Sequence, residues 1–334
     1  MAHQIEKRNG KYEFAHAGAR AWHGLGQQIL PTDDLDTIVA KGGLNWRAER
    51  AAVSYLVTVD GREESRSFEN RSVIYRSDTG EALSVQSDSR YNIHQPADIA
   101  NFFREFLAER KVTIDTIGAL KGGKIVWALA KLGPEFQIKA PDGSKVFPYV
   151  RLQTSFDGSR ATSLAATVIR QVCANTEAAV EADTRSRQRR VSHVIQWSDD
   201  VVEGLKAEWE QLGENLAATE LVWSKLHSQK LPDGKVKAVF ASLLGINLAE
   251  IEKTSAKQRG QLEALLSAYK SAPGAVPGTA FGALQAVTYY ADHQSIVRDT
   301  AKDGNDGARI ASAQFGTGAQ LKLAARERLL ELAA

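Results

Sequence analysis

The chain has one cysteine, Cys173, in 334 residues. An internal disulfide framework and a cysteine-rich zinc site are therefore excluded, and a reducing cytoplasm suits the composition. No apolar run approaches the 18 residues a membrane span needs, and the opening Met-Ala-His-Gln-Ile-Glu-Lys-Arg lacks an apolar signal core, so a cytoplasmic protein with no membrane partner is expected. Charge of either sign is not in excess: 42 basic residues face 40 acidic ones. Any surface for a polyanion must then come from uneven placement. Catalytic signatures are also missing. There is no His-Glu-x-x-His, no paired cysteine motif and no Gly-x-Ser-x-Gly turn, which leaves zinc hydrolysis and serine esterase chemistry without local support. No catalytic residue, metal ligand or cofactor is assigned.

What is present centres on residues 146–190. Runs at 146–154 and 161–170 are rich in β-formers and flank Asp157-Gly158, a pair that favours a tight hairpin. Asn175 or Thr176 is placed to cap a helix over 177–182 that leads into Arg185, Arg187, Arg189 and Arg190. Between Gly143 and His193 eight Lys/Arg stand against four Asp/Glu.

Upstream, Ala21-Trp-His-Gly-Leu-Gly-Gln27 reads as a docked arm with Trp22 plugging a core, and 32–41 as a capped helix. Runs at 51–59, 65–68, 71–76 and 82–86 make an antiparallel meander. An apolar face at 99, 102, 103, 106 and 107 makes 96–110 one helix, and 112–119 with 125–130 a further hairpin. Beyond 191 the pattern is helical: 198–227, 235–244, 248–271, 279–293 and a last helix to 332. The expected fold is α+β: an antiparallel meander with packed helices, then a mostly helical C-terminal region. Its divisions are an arm and short helix at 1–45, a sheet domain at 46–190 and helices at 191–334.

Several side chains carry two readings. Gly118-Ala-Leu-Lys-Gly-Gly-Lys124 imitates a phosphate loop, but Ile125 replaces the Ser/Thr and a strand follows, so a hairpin tip is expected. Cys173 reads as a small buried side chain. The histidines look scattered singly, and Asp292-His293 reads as a helix-terminal hydrogen-bonding pair before an acid–base pair. Arg170, on a strand, needs a carboxylate, a carbonyl or an anion.

Trp22-His-Gly-Leu-Gly26, Thr154-Ser-Phe-Asp-Gly-Ser159, Arg170-Gln-Val-Cys-Ala-Asn-Thr176, Tyr290-Ala-Asp-His293 and Phe315-Gly-Thr-Gly318 with Lys322, in this order, resemble the phage/plasmid-like protein family of unknown function. Phe156 stands where the family is associated with His. The resemblance implies an origin in a phage, prophage or plasmid and supplies no activity. At the level of architecture the chain also resembles single-strand annealing proteins of recombination. The leading expectation is single-stranded nucleic-acid binding by a homo-oligomer, with Lys121, Lys124, Arg151, Arg160, Arg170, Arg185, Arg187, Arg189 and Arg190 on phosphates. The alternatives are a protein-interaction module, such as an inhibitor of host defence, and a metal-dependent nuclease using His293.

Overall fold

The structure, a computed structural model, describes residues 7–18, 26–109, 111–136, 138–170, 175–178, 190–296, 309, 312–313 and 316–332. In chain order come β1 (Lys7–Arg8), β2 (Lys11–Tyr12), β3 (Phe14–His16), β4 (Gln27–Gln28), α1 (Leu35–Lys41), β5 (Ala48–Val59), β6 (Arg62–Arg76) and β7 (Ala82–Ser87). They continue with α2 (Pro96–Asn101), α3 (Arg104–Ala108), β8 (Val112–Leu120), β9 (Ile125–Leu132), β10 (Val146–Ser155), β11 (Thr162–Arg170), β12 (Asn175–Ala178) and β13 (Arg190–Val191). The helical half comprises α4 (Asp199–Glu210), α5 (Leu212–Ser228), α6 (Asp233–Leu243), α7 (Ala256–Ser271), α8 (Ala280–Tyr289) and α9 (Thr317–Glu331).

The main sheet runs β12-β11-β10-β9-β8-β3-β4, with β13 also on β11; β3 and β4 are parallel and the other pairs antiparallel. Its central strand β9, Ile-Val-Trp-Ala-Leu-Ala-Lys-Leu, is apolar on both sides because both sides are covered. Val126, Ala128 and Ala130 join Val150, Leu152, Leu164 and Val168 in the larger core, while Ile125, Trp127 and Leu129 join Phe14 and Tyr149 in a smaller one behind. The mixed α+β class expected from the sequence is the one observed.

Helices cover the larger core. Phe106 of α3 stacks on Trp209 of α4 with ring centroids 4.0 Å apart, so the apolar interior continues from the sheet into the helical half. Every residue from Ala280 to Thr288 is buried, and α8 is accordingly apolar all round, the mark of a helix enclosed by its neighbours. Asp34 caps α1 by accepting from Thr37 N at 2.8 Å. Asp34→Ala should lower the urea midpoint of unfolding, since the Thr37 N–H loses its acceptor.

Three sequence expectations need correction. The segment expected to begin a helix at 177 is β12, whose residues pair with the end of β11, Thr167 opposite Ala178. The helix expected over 96–110 is broken at Phe102-Phe103, where the backbone tightens: Phe103 has ψ of −4° and its N–H donates to Ala100 O, three residues back, at 3.1 Å. The run 198–227 divides at Gln211 into α4 and α5. The Trp22 arm and Cys173 lie outside the described residues.

β5, β6 and β7 form a second, three-stranded sheet. β7 reaches only Arg71–Tyr75 of β6, so beyond Ala52 the β5–β6 pair projects as a two-stranded ribbon. Its end is the turn Asp60-Gly61, with φ of +50° and +73°. This is the left-handed pair that a two-residue hairpin requires.

Candidate nucleic-acid interface

Pairing register places four of the expected cations at one end of the main sheet. Lys121 and Lys124 sit on the turn between β8 and β9, Lys121 exposed and Lys124 half-buried. Ile125 is opposite Ser155, and Phe156 N donates to the Lys124 carbonyl at 2.8 Å, so the β10–β11 loop lies alongside that turn. Within this loop Ser155 Oγ accepts from Arg160 N at 3.0 Å and donates to Arg160 O at 2.9 Å, which fixes the backbone that carries Arg160. Asp157 turns inward on the loop by accepting from Ser159 N at 2.9 Å. The loop is wider than a two-residue hairpin, since β10 ends at Ser155 and β11 begins at Thr162. Arg190, exposed, stands on β13 opposite Ser163.

A fifth cation, Arg90, was not read from the sequence. It is exposed in the turn after β7, next to Tyr91, whose hydroxyl donates to Ser155 O at 2.7 Å. Asp88, the acidic residue of that turn, is held by Ser72 and lies 3.5 Å from Arg50.

Two of the other expected contacts, Arg151 and Arg170, are not on this surface. Arg151 is 7% exposed, inside the sheet on β10. Burial and the nearby charge of Arg160 push its pKa down to about 10, so it stays cationic at neutral pH without facing solvent. Arg170 pairs with Val146 at the far end of β11, seven residues beyond Ser163, about 23 Å away at the rise of a strand. It therefore leaves the cluster. Arg185, Arg187 and Arg189 lie outside the described residues.

The imitation phosphate loop is a hairpin tip, and its glycines face a side chain. A Cβ on Gly123, where φ is +97°, would lie 3.0 Å from Arg76 Nη1 and 3.1 Å from Trp46. Arg76 in turn is held by Glu13 and Asp78. The turn is thus built to seat on Arg76.

Beneath the cationic end lies a buried polar cluster that sequence spacing concealed. His94 and His193, read as isolated, are in contact with ring centroids 4.5 Å apart; Tyr91 stacks on His193, also at 4.5 Å. His94 Nδ1 is 2.7 Å from Thr162 Oγ1, and its Nε2 donates to the Ile195 carbonyl at 2.9 Å. His193 Nδ1 lies 2.8 Å from the Asn92 carbonyl, and Thr154 Oγ1 is 2.7 Å from Thr162 Oγ1. Burial lowers both imidazole pKa values, that of His193 to about 4, against the pull of the carbonyls towards protonation. The cluster ties residues 190–197 to the sheet end, and so positions Arg190. One local signal was available: Tyr91-Asn-Ile-His94 and Ser192-His193 are polar insertions beside turns, but 101 residues separate their contacts.

Two other expected features have structural roles. Phe156 is buried, with its ring 5.4 Å from Trp46. Asp292 forms a buried ion pair with Lys322 at 2.8 Å, which joins two of the motif pieces, and His293 packs on Tyr289 at 4.7 Å. Among the described residues no group of three or more His, Cys, Asp or Glu is placed to hold a metal ion, and no helix is long and apolar enough to cross a membrane.

Residues 82–313 match the model of a family described as a domain of unknown function (DUF932). No curated protein and no solved structure matches the chain.

Proposed function

The chain belongs to the DUF932 family, a domain of unknown function, and we propose that it is a nucleic-acid-binding protein of a phage, prophage or plasmid that holds single strands for annealing in recombination. The observation that carries this reading is the convergence of Lys121, Lys124, Arg160 and Arg190, joined by Arg90, on one end of the main sheet through strand pairing. Lys121 and Lys124 come from one hairpin, Arg160 from the next and Arg190 from a strand some thirty positions on. A polyanion is the ligand that rewards such a gathering, because each neutralised phosphate releases counterion. The mobile-element assignment is supported by the motif resemblance alone.

The test is filter binding of single- and double-stranded oligonucleotides at several salt concentrations. Affinity should fall steeply with salt and favour the single strand. Lys121→Ala/Lys124→Ala/Arg190→Ala should bind more weakly and flatten the log–log salt slope by about 2. Arg151→Lys, at a buried position, should leave the slope unchanged. Absence of retention at low salt, or a slope insensitive to the triple substitution, overturns the proposal.

A further inference from the structure

We infer that the projecting β5–β6 ribbon is a dimerisation element, in which β5 pairs antiparallel with β5 of a second copy of this chain. The inference stands apart from nucleic-acid binding. β5 is an edge strand, and the run Ala51-Ala-Val-Ser-Tyr-Leu-Val-Thr-Val59 contains no charge and no proline. Edge strands are ordinarily protected by such residues, and a long uncharged edge invites another strand. At the base the edge is closed from within: the Gln95 side-chain amide donates to Ala48 O at 3.0 Å and accepts from Ala48 N at 2.9 Å. Among the described residues no strand pairs with the edge beyond that point.

The ribbon also exposes apolar side chains. Leu56 is 70% exposed, Phe68 54% and Tyr55 45%. Val53, Tyr55, Val57 and Val59 share one face, and Phe68, opposite Val53, adds its ring edge-on to Tyr55 at 6.3 Å. A two-stranded ribbon is marginal by itself, so four strands with a joined apolar face are the more stable arrangement.

A second copy fits the edge by both hydrogen bonding and charge. The Asp60-Gly61 turn makes Val59 and Arg62 the closing pair, so Val59, Val57, Tyr55 and Val53 direct their main-chain groups at β6. Ala52, Ser54, Leu56 and Thr58 therefore direct theirs outward. A two-fold axis through Tyr55 sets Ser54 against Leu56 of the second copy and Ala52 against Thr58, all outward-facing pairs. Tyr55 then meets its own counterpart. In this register Arg50 of one copy, which also contacts Asp88 and the Tyr91 carbonyl of its own chain, lies alongside Asp60 of the other, once at each end, so opposite charges bracket the uncharged run. A slip of two residues towards the tip would set Ala52 against Asp60 and carry Arg50 past the turn of the other copy, so the opposite charges would no longer meet.

Sedimentation equilibrium without nucleic acid tests this, with cross-linking as a second measurement. The protein should sediment at twice the chain mass. Ser54→Pro removes an outward N–H while leaving the bonds to β6, and should give a monomer with an unchanged circular dichroism spectrum. In a Cys173→Ser background, Tyr55→Cys should form a reducible dimer on oxidation and Leu56→Cys much less. A wild-type monomer at micromolar concentration overturns the inference and leaves the edge to a strand of another protein. A dimer indifferent to Ser54→Pro, or equal cross-linking at both cysteines, overturns it as well.

Discussion

Replacing Glu13 with alanine should destabilise the protein by about 3–5 kcal/mol, seen as a lower urea midpoint, because it strips one partner from a buried ion pair. Arg76 is 0% exposed, and its Nη1 and Nη2 donate to the two Glu13 oxygens at 2.9 and 2.7 Å. Asp78 takes the other edge of the guanidinium at 2.8 and 3.0 Å, and Trp46 lies under it at 4.4 Å. Burial opposes the charge, yet hydrogen bonds to Asp78 and Glu13 raise the Arg76 pKa above its ordinary value. Without Glu13 the guanidinium remains enclosed with half its carboxylate partners. Asp78→Ala should cost less, since the Asp78 side chain is 38% exposed and water can replace it. The joint change Glu13→Leu/Arg76→Met should recover part of the loss by removing the stranded charge. An unchanged midpoint for Glu13→Ala would show that this pair does not join the second sheet to the main one.

That ion pair illustrates what sequence could and could not disclose. Strands β5 to β11 were legible because alternating apolar residues and the Asp-Gly or Gly-Gly pairs between them are local signals. The start of β12 was not, because Asn175 and Thr176 before Glu-Ala read as caps at a helix start, and the strand state comes from pairing with β11. The breaks at Phe102-Phe103 and Gln211 escaped for another reason: apolar periodicity runs straight through both, and a local tightening of the backbone, with ψ of −4° at Phe103 and −12° at Gln211, leaves it unchanged. Lys121 and Lys124 could be read from a glycine-rich hairpin. Which end of the sheet each loop occupies depends on register, so Arg170 was grouped with cations from the opposite end and Arg90 was passed over. Arg151 shows a further limit. A strand reveals alternation, and nothing in it says that the side of β10 bearing an arginine will be covered.

Acidification should weaken the fold between about pH 6.5 and pH 4, and His193 should account for most of the change. Its imidazole titrates near 4 in the folded protein against 6.5 for the reference group. Above pH 6.5 neither state holds the proton, so this residue contributes no pH dependence there. As pH falls below 6.5 the unfolded chain takes up a proton that the folded chain refuses until about pH 4; stability therefore falls across this window and levels off beneath it. At about 1.4 kcal/mol per pH unit the ceiling is about 3.5 kcal/mol, and His94, also lowered by burial, adds in the same sense. Asp98 and Asp115, whose carboxyls burial pushes up, act in the opposite sense above the ordinary carboxylate range. The difference between wild type and His193→Phe isolates the imidazole. Phenylalanine keeps a ring between Tyr91 and His94 but loses the contact with the Asn92 carbonyl, so the variant should be less stable at neutral pH and lose stability less steeply on acidification. Urea midpoints from pH 7.5 to 4.5 measure both. Parallel curves for the two proteins would mean that His193 is hydrated in the folded state, and the 190–197 segment would then owe its position at the cationic end to something other than this buried imidazole.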